Sequence, residues 1–189
     1  MGIVVKLVNV RMTFPHLGVP DRWGKYSVGV LVQKGTPAHD MLMQKLREAW
    51  AAGADAYGRS IFEPNPTNAR LLRASYIKDG DGEDAKGRPS PDWMRGCLQF
   101  GCQKSDPAVI VDGNLEPISG NDDGIVYPGQ ICHVSLDLVA FNDPGSHNSG
   151  ISRYLRSVVV LGGGERIITH GGKFTDIIEE WGDLCMPNQ

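Results

Sequence analysis

The sequence has no apolar run near the roughly 20 residues that a membrane-crossing helix needs. Its start, "MGIVVKLVNVRM", lacks a basic stretch followed by a sustained apolar one. A cytoplasmic location without membrane attachment is expected. Lys6 stands where a myristoylation signal wants Ser or Thr. Four cysteines in 189 residues are too few for a disulfide framework. Cys97 and Cys102, five apart, fall on opposite faces of a strand, which disfavours a shared metal. Catalytic motifs are missing as well. No G-x-S-x-G is present, "LGGGERI" (161–167) lacks the Lys-Ser/Thr of a Walker loop and reads as a tight turn, and the five histidines have no Ser or Cys partner at a meaningful spacing. No enzyme activity and no cofactor are expected.

What is present is an ordinary soluble composition with many turns. It includes 24 Gly and 12 Pro, with 41% hydrophobic residues and 22% charged ones. The length suits one domain. Net charge is only −3, but it is segregated. Residues 1–104 carry fifteen Lys/Arg against ten Asp/Glu, residues 105–152 seven acids and no base, residues 153–175 four bases and one acid, and residues 176–189 four acids. An acidic total therefore does not exclude a polyanionic ligand, which meets a local patch.

Alternating β-branched residues predict strands at 3–12 and 25–33, with further extended segments at 95–103, 108–112, 129–142 and 153–162. One long helix follows the second strand, opened by Thr36 as N-cap and Pro37 at its first position, and expected to end near Gly53. Residues 57–93 read as extended loop. "GGKFTDIIEEWGDLCMPNQ" reads as a short amphipathic helix or an acidic tail, giving a domain over 1–175 and a tail over 176–189. Many strands around one helix, with no βαβ alternation, indicate a mainly β barrel or sandwich.

Two patterns could carry chemistry. Asp79, Asp81, Glu83 and Asp84 in "KDGDGEDAKG" could hold a divalent cation and serve a metal-dependent nuclease. An EF-hand register fails there at its sixth and twelfth positions, where Asp84 and Ser90 stand. A solvated loop is the plainer reading. The other pattern interleaves rings with cations: Arg22, Trp23, Lys25 and Tyr26; Arg73, Tyr76 and Lys78; Lys86 and Arg88; Trp93 and Arg95; Phe100 and Lys104; Arg153, Tyr154 and Arg156. Single-stranded nucleic acid needs both groups, because its bases are open flat faces and its backbone is anionic. Tyr26 shares a strand face with Val28, Val30 and Val32 and could equally be core. Trp50 on the helix is expected in the core.

The order of "NVRMTFPHL" (9–17), "GKYSVGVLVQKG" (24–35), "IKDGDG" (77–82), "RGCLQFGCQKSDPAVIVD" (95–112), "VYPGQICHVSLDLVAFN" (126–142) and "SGISRYLRSVVVLGGGERI" (149–167) resembles a family of phage-encoded single-stranded-DNA-binding proteins with an OB-type fold. The resemblance implies a five-stranded barrel that coats and protects transient single strands during phage replication or recombination, without catalysis, and it makes Asp79 and Asp81 structural. It also suggests docking of phage or host replication proteins through an acidic tail, and self-association. Here the tail departs from the pattern, since Trp181 is internal and the last residues are uncharged. The rival readings are the nuclease using residues 79–84 and a phage structural or interaction module that binds no nucleic acid.

Overall fold

The computed structural model describes residues 2–59, 61–62, 77–83, 86–121, 125–145 and 148–168. Its elements are β1 (Ile3–His16), β2 (Tyr26–Gln33), α1 (Pro37–Tyr57), β3 (Lys78–Asp79), a 3-10 turn (Asp92–Met94), β4 (Cys97–Lys104), β5 (Val109–Asp112), β6 (Ile131–Asp143) and β7 (Asn148–Val160). The strands lie in the order β3-β4-β2-β1-β6-β7-β5, and a parallel pairing of β4 with β7 closes the sheet. Five strands, β4, β2, β1, β6 and β7, thus form a closed barrel, with β3 and β5 added at its margins.

Closure depends on β1 changing partners along its length. Its first part pairs with β6 and its last part with β2, with register shifts between Leu7 and Val10 and between Thr13 and His16. At these shifts Asn9 and Phe14 take left-handed backbone, φ 54° and 44°. An extra residue of this kind bends a strand and increases its twist, which lets one strand wrap around the barrel.

Alternation fills the interior: Val28, Val30 and Val32 from β2, Leu98, Phe100 and Cys102 from β4, and Cys132, Val134, Leu136 and Leu138 from β6 share one buried cluster. The helix covers it with Leu42, Leu46, Ala49 and Trp50, whose indole meets Phe62 edge-on at 4.8 Å. Thr36 caps α1 as expected, its hydroxyl accepting from the His39 N–H. Gly53 does not end the helix, which continues to Tyr57. Its lack of a side chain serves packing instead: a Cβ there would meet the Phe62 ring at 2.6 Å and the Ala140 methyl at 2.9 Å.

A smaller cluster sits outside the barrel wall, where Leu31, Met94 and Ile167 pack with Trp93 and Cys97. Ile167 arrives there on a strap in which Gly162, Gly163 and Gly164 all take positive φ. Where a tight turn was expected, "LGGGERI" instead runs beside the start of β6, the Leu161 N–H donating to the Ile131 carbonyl and the Ile131 N–H to the Gly163 carbonyl, and bends at Gly164. Arg11 fastens the strap, donating from Nε to the Gly129 carbonyl and from Nη2 to the Glu165 carbonyl. Cys97, Cys102 and Cys132 are free thiols, and burial pushes the pKa of the last two up to about 12. The acidic tail and Cys185 lie outside the described residues, and among those described no helix is long and apolar enough to cross a membrane.

Candidate nucleic-acid interface

The stretch "DRWGK" between β1 and β2 is a turn built by Asp21. Its Oδ1 accepts from the backbone N–H of Trp23 at 2.9 Å and of Lys25 at 3.0 Å, and Gly24 supplies the positive φ. The short acidic side chain replaces backbone partners and holds Trp23 out, 69% exposed. The Arg22 guanidinium lies over one face of the indole, 4.0 Å from the ring centroid. Lys25 Nζ donates to Ser105 Oγ, tying this turn to the end of β4.

Trp23 stands at one wall of a groove of about 580 Å³ on the outer barrel surface. Ser27, Gly101 and Gln103 form its floor, and Phe141, Ser152, Arg153 and Tyr154 its other wall, from the β6–β7 hairpin. Tyr154 is 49% exposed and is the residue on β7 that pairs with Gln103 of β4. Arg153 Nε donates to the Gly101 carbonyl at 2.7 Å. No carboxylate lines the groove among the described residues. Two exposed rings, backed by cations, thus face a floor kept low by a glycine.

Gly101 gives a direct test of the groove. A Cβ there would meet nothing within 4 Å, so Gly101→Ala is expected to leave folding unchanged. Gly101→Glu places a carboxylate in the groove and is expected to weaken nucleic-acid binding at least about tenfold, because like charges facing each other across an interface cost several kcal/mol. Thermal melts and oligonucleotide titrations of both variants check this.

The other sequence-proposed residues divide. Lys104 is half-buried opposite Tyr26, itself half-buried on the inward row of β2, so both flank the groove without lining it. Arg156 is exposed but engaged with Asp137 at 3.1 Å. Lys78, Lys86, Arg88, Trp93 and Arg95 lie on the β3 side, outside the groove; Arg95 pairs with Asp92. Arg73 and Tyr76 lie outside the described residues. Phe100 is a correction. It is fully buried, because Leu98, Phe100 and Cys102 alternate onto the inner face of β4 and its ring sits opposite Val30 in the core. Phe141, Ser27, Gln103 and Ser152 were missed. Gly101 had a readable signal, since an isolated glycine in a strand often marks a close approach by a ligand.

Two carboxylates of the acidic loop, Asp79 and Asp81, are held by structure. Lys34 Nζ bridges Asp79 and Asp81, Asp81 Oδ1 accepts from the Gly96 N–H, and Asp79 Oδ1 accepts from the Asp81 N–H. The hydrogen bond from Lys34, with that from Gly96, holds the Asp81 carboxyl below its ordinary value. Asp112 likewise accepts from the N–H groups of Asn114 and Glu116. These carboxylates are spoken for by a lysine and by backbone turns, and Asp84 lies outside the described residues.

A closed barrel with this strand order, a parallel closing pair and a groove between the first loop and the last hairpin is an OB-type oligonucleotide-binding fold, in which that surface takes nucleic acid. The chain belongs to the Enterobacter phage Enc34 ssDNA-binding protein family, whose model matches residues 3–180. Its fold is similar to that of the single-stranded DNA-binding protein from bacteriophage Enc34, at TM-score 0.67 and 19% identity over 92% of this chain and 88% of that one. The same protein in complex with ssDNA gives 0.66 and 18% over 87% and 89%. The single-stranded DNA binding protein gp2.5 of bacteriophage T7 gives 0.53 and 18% over 100% and 98%. No curated protein sequence matches the chain.

Proposed function

We propose that this protein binds and protects single-stranded DNA without sequence preference during phage DNA replication or recombination, in the cytoplasm of the infected cell. The observation that carries the proposal is the groove where Trp23 and Tyr154 stand exposed beside Arg22 and Arg153, with no lining carboxylate among the described residues. Stacking accepts any base, and cations accept any phosphate. Family membership supports this reading over a nuclease or a module that binds no nucleic acid. Docking of replication proteins by the acidic residues 176–189, their competition with DNA for the groove, and self-association belong to the same proposal.

The test is titration of the full chain with labelled oligo-dT, a duplex of the same length and a salt series. The single strand should bind in preference to the duplex, with log K falling by roughly 0.7 per neutralised phosphate for each log unit of salt. Affinity indifferent to salt, or preference for the duplex, overturns the proposal. Cleavage of the strand on adding Mg²⁺ would favour the nuclease.

A further inference from the structure

Residues 21–25 are closed by four hydrogen bonds, and Asp21 takes part in each. Its N–H donates to the Lys25 carbonyl at 2.8 Å and its carbonyl accepts from the Gly24 N–H at 2.9 Å, while Oδ1 accepts from the N–H groups of Trp23 and Lys25. The first two bonds use backbone alone and survive any side chain here except that of proline, which has no N–H. The last two need an acceptor where Oδ1 stands. Lys25 then ties the turn to the end of β4 through Ser105.

Trp23 depends on this turn for its place. The indole is largely exposed, and the group stacked on it is the guanidinium of Arg22, itself exposed. Neither side chain belongs to the buried core, so the backbone of the turn decides where the ring points. A turn free to wander has to be ordered each time a strand binds, and that ordering is set against the gain from stacking. Asp21 also puts a negative charge beside Arg22 and Lys25. It does not line the groove, but it stands at the rim of a surface that is to receive phosphate, where its charge opposes binding.

We propose that Asp21 is a positioning residue of the interface: as a hydrogen-bond acceptor it presets the turn that aims Trp23 into the groove, while its charge works against the strand that the ring receives. The inference rests on the nucleic-acid reading above and extends it from the rings to the group that orients them. Asparagine keeps an oxygen at the same place and makes the same turn, without the charge. Glutamate keeps the charge but carries its oxygens one methylene further out. Acceptor and charge are thus separable, and they act in opposite directions.

The test titrates labelled oligo-dT with the full chain as wild type, Asp21→Ala, Asp21→Asn and Asp21→Glu, below the melting temperature of each, and repeats the alanine and glutamate variants in a Trp23→Ala background. Asp21→Ala and Asp21→Glu should lower affinity roughly 5- to 30-fold, the equivalent of fixing about one more residue of backbone on binding. Asp21→Asn should bind at least as tightly as the wild type. In the Trp23→Ala background the same substitutions should change affinity by no more than about twofold, because their effect passes through the ring. A loss of equal size in both backgrounds, an asparagine variant as weak as the alanine one, or an alanine or glutamate variant equal to the wild type overturns the positioning role. If Asp21→Ala does not fold, Asp21→Glu carries the same comparison. Wild type that binds no single strand overturns the functional reading along with the positioning role, whereas wild type that binds no more tightly than Asp21→Ala does overturns the positioning role alone.

Discussion

Replacing Trp23 and Tyr154 together by alanine is expected to reduce affinity for single-stranded DNA by about 2–6 kcal/mol, roughly 30-fold to 20,000-fold, at about 1–3 kcal/mol per stacked base. Each single substitution should cost its own share. Neither side chain belongs to the buried core, since both are among the exposed large residues. Stability should therefore hold within about 0.5 kcal/mol, the ordinary size of a surface effect. The salt dependence should survive, because the cations that meet phosphate remain. Isothermal or fluorescence titration at two salt concentrations, with circular dichroism melts, reads all three quantities. Unfolding of either single variant would move the ring into the core, and undiminished affinity of the double variant would remove the groove from the binding surface.

Phe100→Ala is expected to do the reverse. The ring is fully buried between the inner rows of β2 and β4. Deleting a buried phenylalanine side chain costs about 3–5 kcal/mol through lost burial and the cavity left behind. Domains of this kind hold only about 5–15 kcal/mol in total, so the variant should unfold at markedly lower urea while its folded fraction still binds DNA. Loss of affinity at undiminished stability would restore Phe100 as a stacking residue.

The two predictions mark where the sequence was legible. Trp23 lies between Arg22 and Lys25 in a turn, surroundings that keep a ring in water. Its pairing with Tyr154 across more than a hundred residues could not be read from spacing, because it depends on how β4 meets β7. Phe100 lies near Lys104 in sequence, yet strand alternation sends it inward with Leu98 and Cys102. The same rule placed Val28, Val30 and Val32 correctly, and applied to β4 it would have placed Phe100. The helix start was readable because a Thr cap and a Pro act locally; its end was not, because Gly53 is fitted to Phe62 and Ala140, contacts that arise only on folding. β3 was missed for a related reason: two residues long, it is a strand only because β4 offers an edge. β5 was legible, since the β-branched run expected as strand over 108–112 forms Val109–Asp112 along the edge of β7.

The pairing that closes the barrel has a consequence of its own. Between β4 and β7 the ladder amounts to the register of Gln103 with Tyr154, reinforced by the bond from Arg153 to the Gly101 carbonyl, whereas β6 and β7 are zipped over nearly their full length. The seam is therefore the weakest line in the wall, and the groove lies directly upon it. Under the proposed function, a single strand held in the groove touches both banks of this seam, Gly101 and Gln103 on one side and Arg153 and Tyr154 on the other, so that the cargo mends the vessel at its thinnest place.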